Sequence, residues 1–191
     1  MSVLRLNNGK LFEGTKEVTF RRDGWVMLVV DCSPSMTHLL PEARQSAEAF
    51  TIQALRQNYK AGLIGFGDEA FVVRNLTDEG PPDFSTLEVN GSSTNMAAGL
   101  GLAATHLDCM SGERAIVLVT DGQPSEPDKT LKVAAKIKVK GTRIICIGVT
   151  GANLDYLRQI ASGPDLAELV ATRLLGETIE RSVGLLTNGK R

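Results

Sequence analysis

The sequence predicts an α/β domain built on a central, mostly parallel sheet. Two apolar runs, Val26 to Val30 and Ala115 to Val119, each stop abruptly at an aspartate, Asp31 and (after Thr120) Asp121. Runs of this kind read as strands buried on both faces, as parallel strands are. Segments with apolar residues at helical spacing alternate with these strands along the chain, which is the order of an α/β fold. The 191 residues, 42% hydrophobic and 23% charged, suit one globular domain that buries roughly 70% of its unfolded surface.

The elements follow in order. Val3 to Leu6 and Lys10 to Phe12 flank Asn7-Asn8-Gly9, a hairpin turn signal, and Glu17 to Arg21 reads as another short strand. We take residues 1–24 as a small β extension packed on the main sheet of a single domain, 1–191, with its core at about 25–188. Asp23-Gly24 turns into the strand at 25–31. A helix follows over 37–57, with Ala43, Ala47, Phe50 and Ala54 on one face. Leu63 to Phe66 is a strand, and Gly67-Asp68 leads straight into Ala70 to Leu76. So short a turn joins antiparallel neighbours only, which makes that strand an antiparallel edge. Pro81 and Pro82 interrupt the chain before a short helix at 83–88. After the polar loop Gly91 to Asn95, a helix carries Met96, Leu100, Ala103 and Leu107. Beyond the strand at 115–120 come a helix at 127–140 with Val133, Ala134 and Ile137 inward, and a strand at 143–149. A helix at 153–161, a strand at 166–170 and a closing helix at about 172–187 complete the chain. The closing helix has Leu174, Leu175, Ile179 and Val183 as its buried face.

Composition excludes several functions. A formal net charge of −1 provides no general attraction to nucleic acid or an anionic membrane. No stretch has the roughly 20 apolar residues of a membrane-inserted helix, and the N-terminus lacks a signal peptide's apolar segment. Cys32, Cys109 and Cys146 form no CxxC pair, and three free thiols fit the cytoplasm. His38 and His106 are the only histidines, too few for an ordinary zinc site.

The chemistry gathers where strands end. Ligands of open parallel sheets bind beyond the carboxyl ends of the strands. Asp31, Ser33 and Ser35 fall there, as do Thr94, just before a helix, and Asp121. All offer oxygen, the ligand type of a hard cation such as Mg²⁺. Any one of them alone reads as a helix cap; Ser92, Ser93 and Asn95 compete with Thr94 for that role. The five together read as a metal site. Hydroxyls are neutral ligands, so an ion held by them, with its aspartates one shell out, stays net positive and takes an anionic ligand from outside. Two other features carry no such chemistry. Lys129, Lys132, Lys136, Lys138, Lys140 and Arg143 read as a solvated helix face. Cys32 reads as a small buried residue and Trp25 as packing at the start of the central strand.

The pattern Asp31-x-Ser33-x-Ser35 with Met36 after it, then Thr94 before a helix, then Thr120-Asp121-Gly122 after a strand, resembles the von Willebrand factor type A (VWA) domain and its metal-ion-dependent adhesion site. The resemblance covers about 20–188. It implies a doubly wound, Rossmann-like sheet of six strands in the order 3-2-1-4-5-6, strand 3 antiparallel, with helices on both faces. It implies direct coordination of Mg²⁺ or Mn²⁺ by Ser33 and Ser35, and by Thr94 when a ligand is bound. Asp31 and Asp121 would act through water. A protein partner would supply an aspartate or glutamate to complete the shell, the domain itself being a monomer and not an enzyme. Pro34 stands where the family often has glycine; it stiffens the loop and removes one N–H.

The same residues admit two alternatives. In a Mg²⁺-dependent phosphohydrolase of haloacid-dehalogenase-like type, Asp31 would be the nucleophile, but the usual second aspartate is replaced by Ser33. A VWA subunit serving a AAA+ ATPase would need that ATPase as a separate chain, because GxxxxGK[ST] is absent.

Overall fold

The computed structural model describes residues 5–7, 10–13, 16–19, 24–77, 84–149 and 151–187. Three short strands come first: β1 (Arg5–Asn7), β2 (Lys10–Glu13) and β3 (Lys16–Thr19), joined as an antiparallel sheet in that order. Asn7 pairs with Lys10, so Asn7, expected in the turn with Asn8 and Gly9, belongs to β1 instead. Asn8 and Gly9, the turn at Asp23, Pro81 and Pro82, and the packing of the extension on the main sheet lie outside the described residues.

The main sheet has six strands. They are β4 (Gly24–Asp31), β5 (Tyr59–Phe66), β6 (Ala70–Thr77), β7 (Glu113–Thr120), β8 (Arg143–Val149) and β9 (Ala167–Val170), in the spatial order β6-β5-β4-β7-β8-β9. Counted from β4, this is 3-2-1-4-5-6. Only β6 runs antiparallel, along one edge. The helices are α1 (Leu40–Arg56), α2 (Met96–Asp108), α3 (Pro127–Val139), α4 (Leu154–Ile160) and α5 (Leu175–Thr187).

The unbroken apolar run of β4 has a direct cause. Val26, Leu28 and Val30 face a core shared with Ala43, Ala47 and Phe50 of α1 and Ile179 and Val183 of α5. Met27 and Val29 face a second core with Leu100 and Ala103 of α2, Ile137 of α3 and Leu157 of α4. Successive side chains of a strand point to opposite faces, so a strand covered on both faces is apolar at every position. Each such side chain contributes about 1.5–3 kcal/mol when fully buried.

Several boundaries differ from the sequence reading. The helix expected at 37–57 is two pieces: a 3₁₀ turn, Pro34–His38, then α1 from Leu40. Pro34 and Pro41 each sit in the first turn of their helix, where a missing N–H costs nothing. β5 begins at Tyr59 rather than Leu63, because Tyr59 to Gly62 pair in register with β4 without an apolar run to announce them. Asn58, in the left-handed region at φ 63°, makes the sharp change from α1 to β5, a conformation asparagine tolerates. At 84–88 there is a turn, not a helix: Leu87 N–H donates to Phe84 O at 3.0 Å, and both side chains are buried against the α1 core. Leu174 is 40% exposed in a 3₁₀ turn ahead of α5, and Val133 is half-buried.

The basic cluster is only partly a solvated face. Lys138 Nζ donates to Gln159 O and Ala161 O at 2.8 and 3.1 Å. Lys140 pairs with Asp108, and Arg143 holds the last carbonyls of α5, Leu185 O and Leu186 O, at 2.7 and 3.0 Å. Cations suit a helix C-terminus, so these residues tie helices together. Lys132 and Lys136 remain exposed.

Tyr59 closes the end of the sheet away from the aspartates. Its buried hydroxyl donates to Glu113 Oε2 at 2.8 Å and lies 3.1 Å from Leu186 O; burial, then the glutamate, push its pKa up. Tyr59→Phe removes that donor. We expect a loss of about 1–2 kcal/mol of unfolding free energy in urea. An unchanged midpoint would show that the bond adds nothing.

Candidate metal centre

The ends of β4 and β7 are neighbours because the two strands pair directly. At this point the connections leave the sheet to opposite sides, which opens a crevice at the carboxyl ends. Asp31 is the last residue of β4 and is fully buried. Its Oδ1 accepts from the Ser33 backbone N–H at 2.9 Å, a local turn that aspartate favours. Its Oδ2 accepts from the Thr120 hydroxyl at the end of β7. Burial pushes its pKa up from 3.8; the Thr120 and Ser33 hydrogen bonds oppose this, and the nearby Asp121 charge adds to it. No lysine, arginine or histidine among the described residues is a partner of this carboxylate.

A second chain of contacts leads outward. Ser33 Oγ lies 3.1 Å from Ser35 Oγ, and Ser35 Oγ donates to Asp121 Oδ1 at 2.8 Å. Ser33 is 2% exposed, whereas Ser35 is open to solvent, so the row runs from the interior to the surface. Ser33 opens the 3₁₀ turn without a side-chain capping bond, which leaves its hydroxyl for other work.

Thr94 comes from the loop before α2. The cap of α2 is Asn95, whose Oδ1 accepts from Ala98 N–H at 3.2 Å, so Thr94 is not needed as one. Thr94 and Ser125 clasp each other. Thr94 N–H donates to Ser125 Oγ at 3.1 Å, and Ser125 N–H donates to Thr94 O at 3.0 Å. A Cβ placed on Gly122 would stand 4.0 Å from Thr94 Oγ1, so this hydroxyl faces the loop of Asp121. All five expected residues therefore lie on three adjoining loops at one edge of the sheet. Four of them share an unbroken set of hydrogen bonds, with Thr94 beside it.

Two roles escaped the sequence reading. Thr120, quoted in the family pattern but given no role there, supplies the proton that holds Asp31 Oδ2. Asp68 accepts from Ser92 N–H and Ser93 N–H at 2.9 and 2.7 Å, which no local pattern announces.

The residues fit a hard cation. Adjacent oxygens around Mg²⁺ at 2.0–2.1 Å are about 2.9 Å apart in an octahedron, and the Ser33 and Ser35 hydroxyls, 3.1 Å apart, lie close to that spacing. Among the described residues no three His, Cys, Asp or Glu side chains converge; the centre consists of two carboxylates and neutral hydroxyls instead. Cys32, next to Asp31, is buried and packs in the α1 core; desolvation first, then the Asp31 charge, push its thiol up to about 12.

A doubly wound sheet with a hydroxyl-rich, two-carboxylate crevice defines a class of domain. The sequence profile of the von Willebrand factor type A domain matches residues 26–174, and the chain belongs to this family. Its members are metal-dependent protein-interaction modules. The fold is similar to the vWF domain of the type V pili tip protein Mfa5 from Porphyromonas gingivalis, with a TM-score of 0.77 at 12% identity, covering 91% of this chain and 98% of that one. It is also similar to proximal thread matrix protein 1 of the mussel byssus, TM-score 0.73 at 20% identity, covering 86% of this chain and 46% of that one. A second structure of that mussel protein, with a zinc-occupied MIDAS motif, matches at TM-score 0.70 and 20% identity over 85% of this chain and 45% of that one. The chain thus spans under half the length of the mussel protein, and at these identities the likeness is one of fold. No curated protein matches the sequence.

Proposed function

We propose that this domain is a non-catalytic interaction module that grips a partner protein's aspartate or glutamate through a divalent cation, Mg²⁺ or Mn²⁺. Ser33, Ser35 and Thr94 hold the ion by their hydroxyls, and Asp31 and Asp121 serve it through water. The observation that carries this reading is the Ser33–Ser35 hydroxyl pair, 3.1 Å apart and backed by Asp121, beside a buried carboxylate that has no cationic partner among the described residues. When bound, the cation supplies a Lewis-acid docking point for an external carboxylate. Asp121 orients the Ser35 hydroxyl by accepting its proton, which leaves the oxygen's lone pairs for the ion. Asp31 holds the Ser33 loop through the backbone N–H and adds negative charge from below. Because Ser35 is exposed and Ser33 is not, the partner approaches from the Ser35 side.

The same geometry argues against a phosphohydrolase. A nucleophilic aspartate must present a free oxygen to substrate, yet both oxygens of Asp31 are engaged and buried. Oxygen ligands suit Mg²⁺ and Mn²⁺, while raw affinity also permits Zn²⁺, so cellular availability selects the ion. Three unpaired thiols agree with action in a reducing compartment. A AAA+ ATPase is one partner class that could present the carboxylate.

The test is a Mn²⁺ titration read by electron paramagnetic resonance, with and without excess acetate. We expect one saturable site in the wild type, lost in Asp31→Ala with Asp121→Ala, and competed by Mg²⁺. A wild type with no saturable site under either condition would overturn the reading.

A further inference from the structure

Resting on the metal-centre reading above, we propose that Asp68 is a positioning residue: its carboxylate gathers the Ser92 and Ser93 N–H groups and so sets Thr94 against the centre. Asp68 sits at the turn between β5 and β6 and is itself exposed. Two strands, β6 and β7, separate it from Asp121 in chain order, and it has no direct part in the hydroxyl row.

The loop from 90 to 95 is folded over this turn by contacts at every step. Asn90 N–H donates to Cys32 O at 2.9 Å, and Asp68 N–H donates to Asn90 O at 3.1 Å. Asp68 Oδ1 then accepts from two consecutive N–H groups, Ser92 and Ser93, at 2.9 and 2.7 Å. Asn95 returns two bonds, N–H to Gly67 O at 2.8 Å and Nδ2 to Asp68 O at 3.2 Å. Thr94 lies between the last two of these anchors. Gly91 adopts φ +79°, and a Cβ there would run into the Asp68 carboxyl; the chain can cross the carboxylate only as glycine. Bonds from the Ser93 hydroxyl and the two N–H groups hold the Asp68 carboxyl below the usual carboxylate range, as expected of an anion caught by oriented donors.

The turn is thus a common footing. It contacts the Asp31-Cys32 segment through Asn90 and the Thr94 loop through Asp68. Ser125 clasps Thr94 from the opposite side. Without Asp68, the Thr94 loop keeps the Ser125 clasp but loses the side-chain hold on the two residues immediately before Thr94.

The experiment separates geometry from charge. Asp68→Asn keeps a carbonyl oxygen at the same reach but removes the charge. Asp68→Glu keeps the charge but moves the acceptor outward by one methylene. Asp68→Ala removes both. Mn²⁺ dissociation constants by electron paramagnetic resonance are the readout, with metal-free melting in EDTA as the check on folding. We expect Asp68→Ala and Asp68→Glu to weaken binding about ten-fold, the lower end of what a supporting partner of a metal ligand contributes, and Asp68→Asn to stay within about two-fold. In a Thr94→Ala background, Asp68→Ala should add less than about two-fold, because its effect passes through Thr94. Loss in Asp68→Asn with retention in Asp68→Glu would show long-range charge instead and overturn the proposal. So would an undiminished effect of Asp68→Ala when Thr94 is already gone, or wild-type affinity in Asp68→Ala. Should Asp68→Ala not fold, the Asn and Glu variants decide alone. A wild type without a saturable site overturns the metal reading and this proposal together, whereas the other contrary results leave the metal reading standing.

Discussion

Asp31→Asn should abolish the Mg²⁺-dependent rise in melting temperature while leaving the metal-free protein at least as stable as the wild type. The two halves of that result have one cause. Asp31 is a buried carboxylate whose hydrogen bonds only partly offset its desolvation, and Asp121 adds a like charge. Asparagine keeps an oxygen to accept from Ser33 N–H. Its amide can donate to the Thr120 hydroxyl, which then turns towards Gly122 O, 3.4 Å away. The shape is kept and the charge is gone. For the cation, loss of that charge is expected to weaken binding on the order of 100-fold.

The pH dependence follows with a definite sign. The folded carboxyl keeps its proton to a higher pH than the ordinary 3.8. Above that raised value the buried charge lowers stability relative to the unfolded chain. As pH falls from there towards 3.8 the folded state takes up its proton first and the penalty is relieved; below 3.8 both states are protonated and the gain stops. In metal-free protein, the melting temperature of wild type minus that of Asp31→Asn should therefore rise as pH falls through this window. The gain from Mg²⁺ should shrink over the same range, because the proton and the metal compete for one carboxylate. Thermal melts in EDTA and in Mg²⁺ across that range test both. A wild type that outlasts Asp31→Asn in EDTA at neutral pH would refute the strain we ascribe to Asp31.

Gly67→Ala should be the most damaging single methyl near the centre. A Cβ at Gly67 points into the Asn90 carbonyl. That carbonyl is backbone and is fixed by the Asp68 N–H, while Asn90 N–H is fixed to Cys32 O. No flexible side chain is available to yield. Either the turn or the 90–95 loop must move, breaking several of the bonds that join them. Overpacking against backbone costs about 3 kcal/mol when it cannot relax. We expect that loss in urea unfolding together with a Mn²⁺ affinity below that of Thr94→Ala, since the whole loop shifts. By contrast, Gly101→Ala, where a Cβ meets nothing within 4 Å, should be neutral or slightly stabilising in α2. Equal effects at the two glycines would discredit the steric account.

What could be read from the sequence depended on how local its cause was. β4 and β7 were legible because burial on both faces makes every position apolar, and the antiparallel β6 because Gly67-Asp68 leaves too little chain for a crossover. Order 3-2-1-4-5-6 was not a matter of periodicity; it came with the resemblance, and the register of β4 with β5 and β7 bears it out. Asp31, Ser33, Ser35, Thr94 and Asp121 were singled out by type and place, and the structure gathers them on adjoining loops. The parts that stayed hidden depend on distant partners. Tyr59 to Gly62 are strand because β4 is beside them. Thr120 matters through Asp31, 89 residues earlier, and Asp68 through Ser92 and Ser93. Lys138 and Arg143, read as solvated, hold carbonyls of α4, its C-cap residue and α5. In each case the pattern along the chain is silent because the contact lies across it.

The direct pairing of β4 with β7 has one more consequence. Ser35 and Asp121 are 86 residues apart in the chain, and no stretch shorter than the span from Asp31 to Asp121 contains the whole set. A compact chain with its helices and strands formed, but with these two strands not yet side by side, has the ligands and no centre. If the centre binds as we propose, cation affinity is a gauge of completed tertiary structure, able to tell the native domain from a molten globule that circular dichroism in the far ultraviolet would pass as folded.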